Sequence, residues 1–181
     1  MGMKNLVMLL FLYLVTPTTF VAADQTLIQK TCRSTLYYAL CMSSLKSDPT
    51  SLTADTKGLA AIMASIGAAN ATATSAYLSS QLPTSANNNK NNSNRTKLIR
   101  QCSEKYAFAA EALRASLKDL AEETYDYAYM HVAAAADYAN VCRNGFKVFP
   151  TVAYPATLRR REEGLKRICR VVLGILDLLG W

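Results

Sequence analysis

Cysteine and histidine are the residues of this 181-residue chain whose types and spacing could do chemistry. The five cysteines are Cys32, Cys41, Cys102, Cys142 and Cys169. No two of them form the Cys-x-x-Cys pair that is typical of a structural zinc site, and His131 is the only histidine. We therefore expect no metal site and no cofactor, so the cysteines should form disulfide bonds or remain free thiols.

The N-terminus predicts that these cysteines meet an oxidising environment. Lys4 gives it a positive start, residues 6–15 are nearly all apolar, and residues 21–23 (Val-Ala-Ala) are small enough for cleavage. This pattern is typical of a secretory signal peptide and is too short for a membrane span. We expect residues 1–23 to be removed and residues 24–181 to form a single secreted domain whose cysteines are oxidised.

The charge of the chain limits its partners. It carries 20 Lys and Arg against 13 Asp and Glu, a formal net charge of +7. A basic exported protein meets polyanions, acidic proteins or cell-wall material, and no nucleic-acid-binding motif is present. The apolar C-terminal stretch 171–181 is too short for a bilayer. We therefore expect neither nucleic acid nor, once the leader is removed, a membrane as partner.

Four segments, at about 53–80, 95–120, 122–142 and 157–179, have the periodicity of amphipathic helices. Asn144-Gly145 is a stop signal after the third. Because each helix must bury its apolar stripe and most connections are short, the pattern predicts an all-α, antiparallel up-down four-helix bundle. Residues 24–46 predict a pair of short helices or turns before it. The predicted stripes of the first, second and fourth segments include Leu59, Ile62, Ile66, Ala69 and Ala73; Leu98, Cys102, Tyr106 and Leu113; and Leu158, Leu165, Ile168 and Val172.

The residues alone leave the connectivity of the cysteines open. Cys32 and Cys41 are nine positions apart, whereas Cys102 and Cys142 are 40 apart. A disulfide across the shorter loop would contribute about 2.7 kcal/mol, and one across the longer loop about 3.9 kcal/mol. Cys169 falls on the apolar stripe of the fourth segment, so we expect it to be a buried free thiol.

Three sequons predict N-glycosylation, at Asn70, Asn91 and Asn94. The last two lie in the polar run 87–94, which predicts an exposed loop. Asn70 lies inside a helical segment, where glycosylation would require an outward-facing side chain.

Catalysis is not indicated. His131 is the only candidate general base, and no serine has the context of a nucleophile elbow. We expect a protein that is not an enzyme, in which His131 is partly buried or responds to pH. Four tyrosines surround it on the third segment, and they favour either a binding surface or the bundle core. They are Tyr125, Tyr127, Tyr129 and Tyr138.

A run of three arginines, 159–161, opens the fourth segment and is followed by Glu162 and Glu163. Three positive charges in a first turn oppose the helix dipole. The run is therefore either a contact for a partner's carboxylates or a solvated, partly self-paired stretch.

Three short stretches carry a resemblance: residues 28–32 (Ile-Gln-Lys-Thr-Cys), 37–41 (Tyr-Tyr-Ala-Leu-Cys) and 45–49 (Leu-Lys-Ser-Asp-Pro). With the spacing of four cysteines, they resemble the plant invertase and pectin methylesterase inhibitor family over the whole mature chain. The resemblance implies a four-helix bundle preceded by a short helical hairpin. It also implies two disulfides, Cys32–Cys41 and Cys102–Cys142.

The family inhibits two enzymes. Residues 123–132 and 153–155 (Ala-Tyr-Pro) are similar to the invertase-inhibitor type. That similarity implies a secreted, 1:1 inhibitor that blocks the cleft of acid invertase (β-fructofuranosidase), in the apoplast, cell wall or vacuole. Pectin methylesterase is the alternative target, because Tyr-Asp followed by Val-x-Ala-Ala is similar to its inhibitors. The implied target-binding residues are Tyr125, Asp126 and Tyr127, which match a Pro-Lys-Phe motif of invertase inhibitors with an acid in place of the base.

Overall fold

The computed structural model describes residues 18–83 and 90–180, and every regular element in these ranges is helical. Most of the predicted leader lies outside them, so its removal stays a prediction. The elements are α1 (Thr18–Arg33), α2 (Tyr38–Ser47), a 3₁₀ turn (Pro49–Leu52), α3 (Thr56–Ser80), α4 (Lys90–Ala121), α5 (Tyr125–Val148) and α6 (Ala156–Leu176).

Helices α3 to α6 form a closed four-helix bundle. Helix α4 packs against α3 on one side and α5 on the other, and α6 packs against both α3 and α5. Because the connections are short, consecutive helices run antiparallel. The connector 149–155 contains Pro150 and Pro155 and is not helical. The predicted all-α bundle is confirmed.

The predicted N-terminal hairpin is formed by α1 and α2, which pack against each other and against α3 and α6. The Cys32–Cys41 disulfide joins the two helices. The turn between them lies on the last part of α6 at Gly174, where an added Cβ would be 3.2 Å from the Cα of Thr35. A side chain at position 174 would therefore push the hairpin away from the bundle.

The core contains the stripes predicted for α4 and α6, but the stripe predicted for α3 is only partly right: Leu59 is fully buried, whereas the next four predicted residues are not. Ile62 and Ile66 are only partly buried, and the exposed Ala69 and Ala73 lie outside the core. An added Cβ at Gly67 would be 3.1 Å from Leu113 and 3.2 Å from Ile168. The side of α3 that faces the core therefore carries small residues, because α4 and α6 approach the helix closely there. The buried residues of α3 are Leu59, Ala60, Met63, Ala64, Gly67, Ala68, Ala71, Thr74 and Leu78.

Two helix ends differ from the prediction. Helix α4 begins at Lys90, so Asn91 and Asn94 lie on its first turns and not in a loop. A helix that is already nucleated extends over such polar residues at little cost per residue. Helix α5 continues through Asn144-Gly145 to Val148, because Phe146 is 3% exposed and extends the core stripe.

Among the described residues, α3 alone has the length and apolar composition of a membrane span. The first turn of α3 is capped at an exposed position: the carboxylate of Asp55 accepts a hydrogen bond of 2.7 Å from the backbone N–H of Gly58. The helix packs against both α4 and α6. We therefore interpret α3 as a helix of the bundle and not as a membrane span.

The second disulfide joins Cys102 to Cys142 and so connects α4 to α5. Both pairings implied by the resemblance are present. Within the described ranges Cys169 is the cysteine left without a disulfide, and it is fully buried, as expected. Burial raises the pKa of its thiol to about 12, which keeps it protonated and unreactive.

The two disulfides should differ in what they contribute to stability. We expect the Cys102→Ala/Cys142→Ala variant to lose about 4 kcal/mol of unfolding free energy, and Cys32→Ala/Cys41→Ala about 3 kcal/mol, because the longer loop restricts the unfolded chain more. Urea denaturation monitored by circular dichroism measures both. A larger loss from the short loop would contradict this order.

Candidate functional site

The tight turn between α4 and α5, residues 122–124, is the centre of the candidate site. The backbone N–H of Thr124 donates to the carbonyl of Asp119 at 2.9 Å, and that of Glu123 donates to Leu120 at 3.3 Å. These two hydrogen bonds form a Schellman motif, which commonly ends a helix with one residue in the left-handed conformation. That residue here is Glu123, with φ +60°. Glutamate stands where glycine is the unstrained residue, so side-chain contacts must help to hold the turn.

One such contact joins the turn to α3. The Glu123 carboxylate accepts a hydrogen bond of 2.8 Å from the Nζ of Lys57, in the first turn of α3. This hydrogen bond raises the pKa of Lys57 above its ordinary value. The beginning of α3 and the α4–α5 turn are thus held together at the same end of the bundle.

The three residues implied as target-binding follow directly after the turn. Tyr125 is partly buried against the core, whereas Asp126 and Tyr127 are exposed. Tyr127 is 56% exposed, and Met130, one helical turn later on the same face, is 64% exposed. The structure therefore separates the three residues: Tyr125 anchors the start of α5, while Asp126 and Tyr127 are exposed to solvent. Met130 adds apolar area beside Tyr127.

His131 is held by α4. Its Nδ1 lies 2.6 Å from the Oδ2 of Asp119, and because a carboxylate oxygen accepts, Nδ1 is the donor. The imidazole is 41% exposed and the carboxylate 15%. The pair orients the imidazole and adds a polar contact between α4 and α5 just below the turn. Among the described residues, no group of three His, Cys, Asp or Glu side chains could hold a metal ion.

The four tyrosines do not form one surface. Tyr125, Tyr129 and Tyr138 are partly buried against the core, and Tyr127 is the exposed member. The ring of Tyr138 lies 5.7 Å from that of Phe108 on α4, further along the bundle. The sequence left open whether the four tyrosines form a binding surface or fill the core. In the structure three of them pack against the core, and Tyr127 lies on the surface.

The three arginines 159–161 differ in their surroundings. The Arg161 guanidinium lies 4.4 Å from the centre of the Tyr77 ring and so joins α6 to α3. Arg159 and Arg160 are exposed. The sequence reasoning missed Glu162, which is 1% exposed and accepts a hydrogen bond of 3.0 Å from the Tyr154 hydroxyl. Its place among charged neighbours gave no signal of burial.

The glycosylation sites remain predictions. Asn94 is partly buried on the first turns of α4, and the side chain of Asn91 lies outside the described part. Asn70 is partly buried as well, and its Oδ1 is enclosed without a hydrogen-bond partner. Glycosylation of Asn70, which takes place on Nδ2, therefore stays a prediction.

Comparison with known proteins gives concordant matches. The family model described as plant invertase/pectin methylesterase inhibitor matches residues 26–175. The chain is 51% identical over 178 residues to the Arabidopsis thaliana protein named "Cell wall / vacuolar inhibitor of fructosidase 2", with 94% of this chain and 97% of the relative covered. It is 41% identical over 156 residues to "Pectinesterase inhibitor 28" of Oryza sativa subsp. japonica, with 84% and 69% covered.

A solved structure shares the fold. The crystal structure of mutant form A of a pectin methylesterase inhibitor from Arabidopsis superposes with a TM-score of 0.63 at 22% identity, with 81% of this chain and 93% of that chain covered.

The left-handed residue of the turn gives a stability prediction. We expect Glu123→Gly to be more stable than Glu123→Ala by about 1 kcal/mol, because both lose the carboxylate but only alanine keeps the steric cost of φ +60°. Urea unfolding of the two variants measures the difference. The neighbouring pair Glu122→Gly and Glu122→Ala is the control and should show the opposite order, since Glu122 does not have a positive φ. Equal stability of the Glu123 variants would contradict the argument.

Proposed function

The chain belongs to the plant invertase/pectin methylesterase inhibitor family, and on that premise we propose that it is a secreted, non-catalytic inhibitor of plant acid invertase. The observation that carries this proposal is the 51% identity, over nearly the full length of both chains, to a relative named as an inhibitor of fructosidase. The same name supports an apoplastic, cell-wall or vacuolar location. Relatives named for inhibition support a protein that binds an enzyme and is not one itself.

The proposed mechanism is obstruction by a rigid projection. The α4–α5 turn is fixed by its own backbone hydrogen bonds and by the Lys57–Glu123 ion pair. A surface that is already ordered loses little conformational entropy on binding, so more of the contact energy appears as affinity. Tyr127 and Met130 supply exposed aromatic and apolar area of the kind that dominates protein interfaces.

The charge of Asp126 determines how the projection would sit in the enzyme. The cleft of a glycosidase contains a pair of carboxyl groups that flank the scissile bond. An exposed aspartate is repelled from them, whereas a tyrosine hydroxyl can donate a hydrogen bond to a carboxylate. We therefore place Tyr127 inside the cleft and Asp126 at its rim.

Pectin methylesterase is the second candidate target, in the cell wall. Two observations favour it: the 41% identity to a relative named as a pectinesterase inhibitor, and Asp126 at the position where the invertase-inhibitor motif has a base. The same turn would then carry the contact. The two targets are distinguished by their substrates, sucrose and methyl-esterified pectin.

The first test measures both enzymes. We expect the mature protein at micromolar concentration to abolish sucrose hydrolysis by cell-wall or vacuolar invertase at mildly acid pH. We expect Tyr127→Ala to weaken this inhibition at least about tenfold, since a central interface tyrosine contributes more than about 1.4 kcal/mol. Phe108→Ala, which removes a 43% exposed ring from the middle of α4, is the matched control and should inhibit as wild type does.

Inhibition of methanol release from pectin, with invertase unaffected, would replace invertase by pectin methylesterase as the target. Equal losses from Tyr127→Ala and Phe108→Ala would exclude the turn as the contact.

The second test reverses the charge at the rim. We expect Asp126→Lys to bind invertase several-fold more tightly, because an ammonium group is attracted to the carboxylates of the cleft. Asp126→Asn, which only removes the repulsion, should fall between the two. Inhibition constants measured at low and high salt give the electrostatic part of the effect. Weaker inhibition by the lysine variant would contradict the placement of Asp126 at the rim.

A further inference from the structure

A second candidate surface lies at the other end of the bundle, where α5 ends and α6 begins. A cavity of ≈ 300 Å³ opens there, and three cations line it: Arg143 and Lys147 of α5 and Arg159 of α6. Among the described residues no Asp or Glu lines it, and its remaining walls are aromatic or apolar. A small cavity with an apolar floor and a few convergent charged groups is typical of a ligand site.

The floor of this cavity is fixed by interior contacts. The rings of Phe146 and Tyr154 meet edge to face with their centres 5.1 Å apart. The Tyr154 hydroxyl donates to the buried carboxylate of Glu162, and burial raises the pKa of that hydroxyl, which keeps it a donor. Phe146, which is buried, thus holds the partly exposed Tyr154 ring in place, and an apolar face of a ligand can lie against that ring.

Two of the three cations are available to a ligand. Glu162 already has two positive neighbours, with Arg143 Nη1 and Lys166 Nζ each 3.7 Å from its Oε1. Lys147 and Arg159 are exposed, and neither forms an ion pair within the part of the chain that the structure describes. Their charge is therefore uncompensated at the mouth of the cavity.

The surroundings extend this positive charge. Further exposed cations at the same end are Arg95, Lys97 and Arg100 on the first part of α4 and Arg160 on α6. Around the α4–α5 turn, by contrast, lie Asp119, Glu122, Glu123 and Asp126, and two of these carboxylates are paired with Lys118 and Lys57. Along α5, Lys147 lies about 33 Å from the first residue of the helix, so the cavity and the turn are separate surfaces.

We propose that this cavity binds a uronic-acid unit of a linear acidic polysaccharide, and that the inhibitor is thereby retained on a polyuronide matrix. Such a chain carries one carboxylate per sugar, which Arg159 and Lys147 can pair with, the arginine through two hydrogen bonds. The C–H face of the pyranose ring can pack against the ring of Tyr154. Successive carboxylates along the chain can reach the neighbouring cations of α4 and α6. Methyl esterification of the sugar removes the charge that the site recognises.

The experiment uses the full mature chain with its disulfides intact. Isothermal titration calorimetry at mildly acid pH compares an unesterified oligogalacturonide, whose carboxyl groups are ionised there, with its fully methyl-esterified counterpart. We expect binding of the first and none of the second. We expect Lys147→Gln/Arg159→Gln to weaken binding at least about tenfold, because both charge-assisted contacts to the carboxylates are lost.

The control variant is Lys30→Gln/Lys46→Gln, which loses the same net charge from exposed positions on α1 and α2. It should bind the oligogalacturonide within about twofold of wild type. Arg159→Lys, which keeps the charge, should retain most of the binding. Inhibition of the target enzyme should be unchanged in all these variants, which separates failure of this proposal from failure of the proposed function.

Three results would overturn the proposal. Equal weakening by the two double variants would show that net charge alone attracts the polysaccharide. Equal binding of the esterified oligomer would show that carboxylates are not recognised. Binding to vesicles that contain phosphatidylserine, with none to the oligogalacturonide, would assign the basic surface to a lipid headgroup.

Discussion

The pairing of α4 with α5 is the constraint on which the rest of the structure depends. The turn at 122–124 closes the pair at one end, and the Cys102–Cys142 disulfide, with Cα atoms 4.8 Å apart, joins it towards the other. The hydrogen bond between Asp119 and His131 lies between them. Because the two helices are fixed at both ends, α5 can neither slide nor rotate against α4. The direction in which Tyr127 projects is therefore set by helix register and not by a flexible loop.

The sequence predicts the fold well where large apolar side chains mark the stripe, and poorly where they do not. The stripes of α4 and α6 could be read from leucine and isoleucine at helical spacing. In α3 the helices approach through Ala64, Gly67 and Ala68, and periodicity among small residues does not distinguish the inner from the outer face. The predicted end of α5 was wrong for a related reason. Asn144-Gly145 is a local stop signal, but the burial of Phe146 outweighs it and the helix continues to Val148.

The segment of the candidate site could be chosen from the sequence, but the contacts that hold it in place could not be predicted. The segment that begins at Tyr125 stood out by resemblance. The residues that hold it meet only after folding, as with Lys57 and Glu123, which are 66 positions apart. Glu162 is the clearest case, since a carboxylate beside three arginines and another glutamate is typical of a solvated face. Only the meeting of Tyr154, Arg143 and Glu162 from the connector, α5 and α6 makes its burial possible.

The antiparallel topology also determines which charged helix ends lie at the same end of the bundle, and this cannot be read from the local sequence. Helix α4 begins with Arg95, Lys97 and Arg100 and ends near carboxylates, α5 begins with Asp126 and ends with Lys147, and α6 begins with arginines. When the helices alternate in direction, the basic ends come together and so do the acidic ones. Helix dipoles favour acids at N-termini and bases at C-termini, so α5 follows this preference while α4 and α6 oppose it. Helix stability therefore does not account for the basic residues in the first turns of α4 and α6.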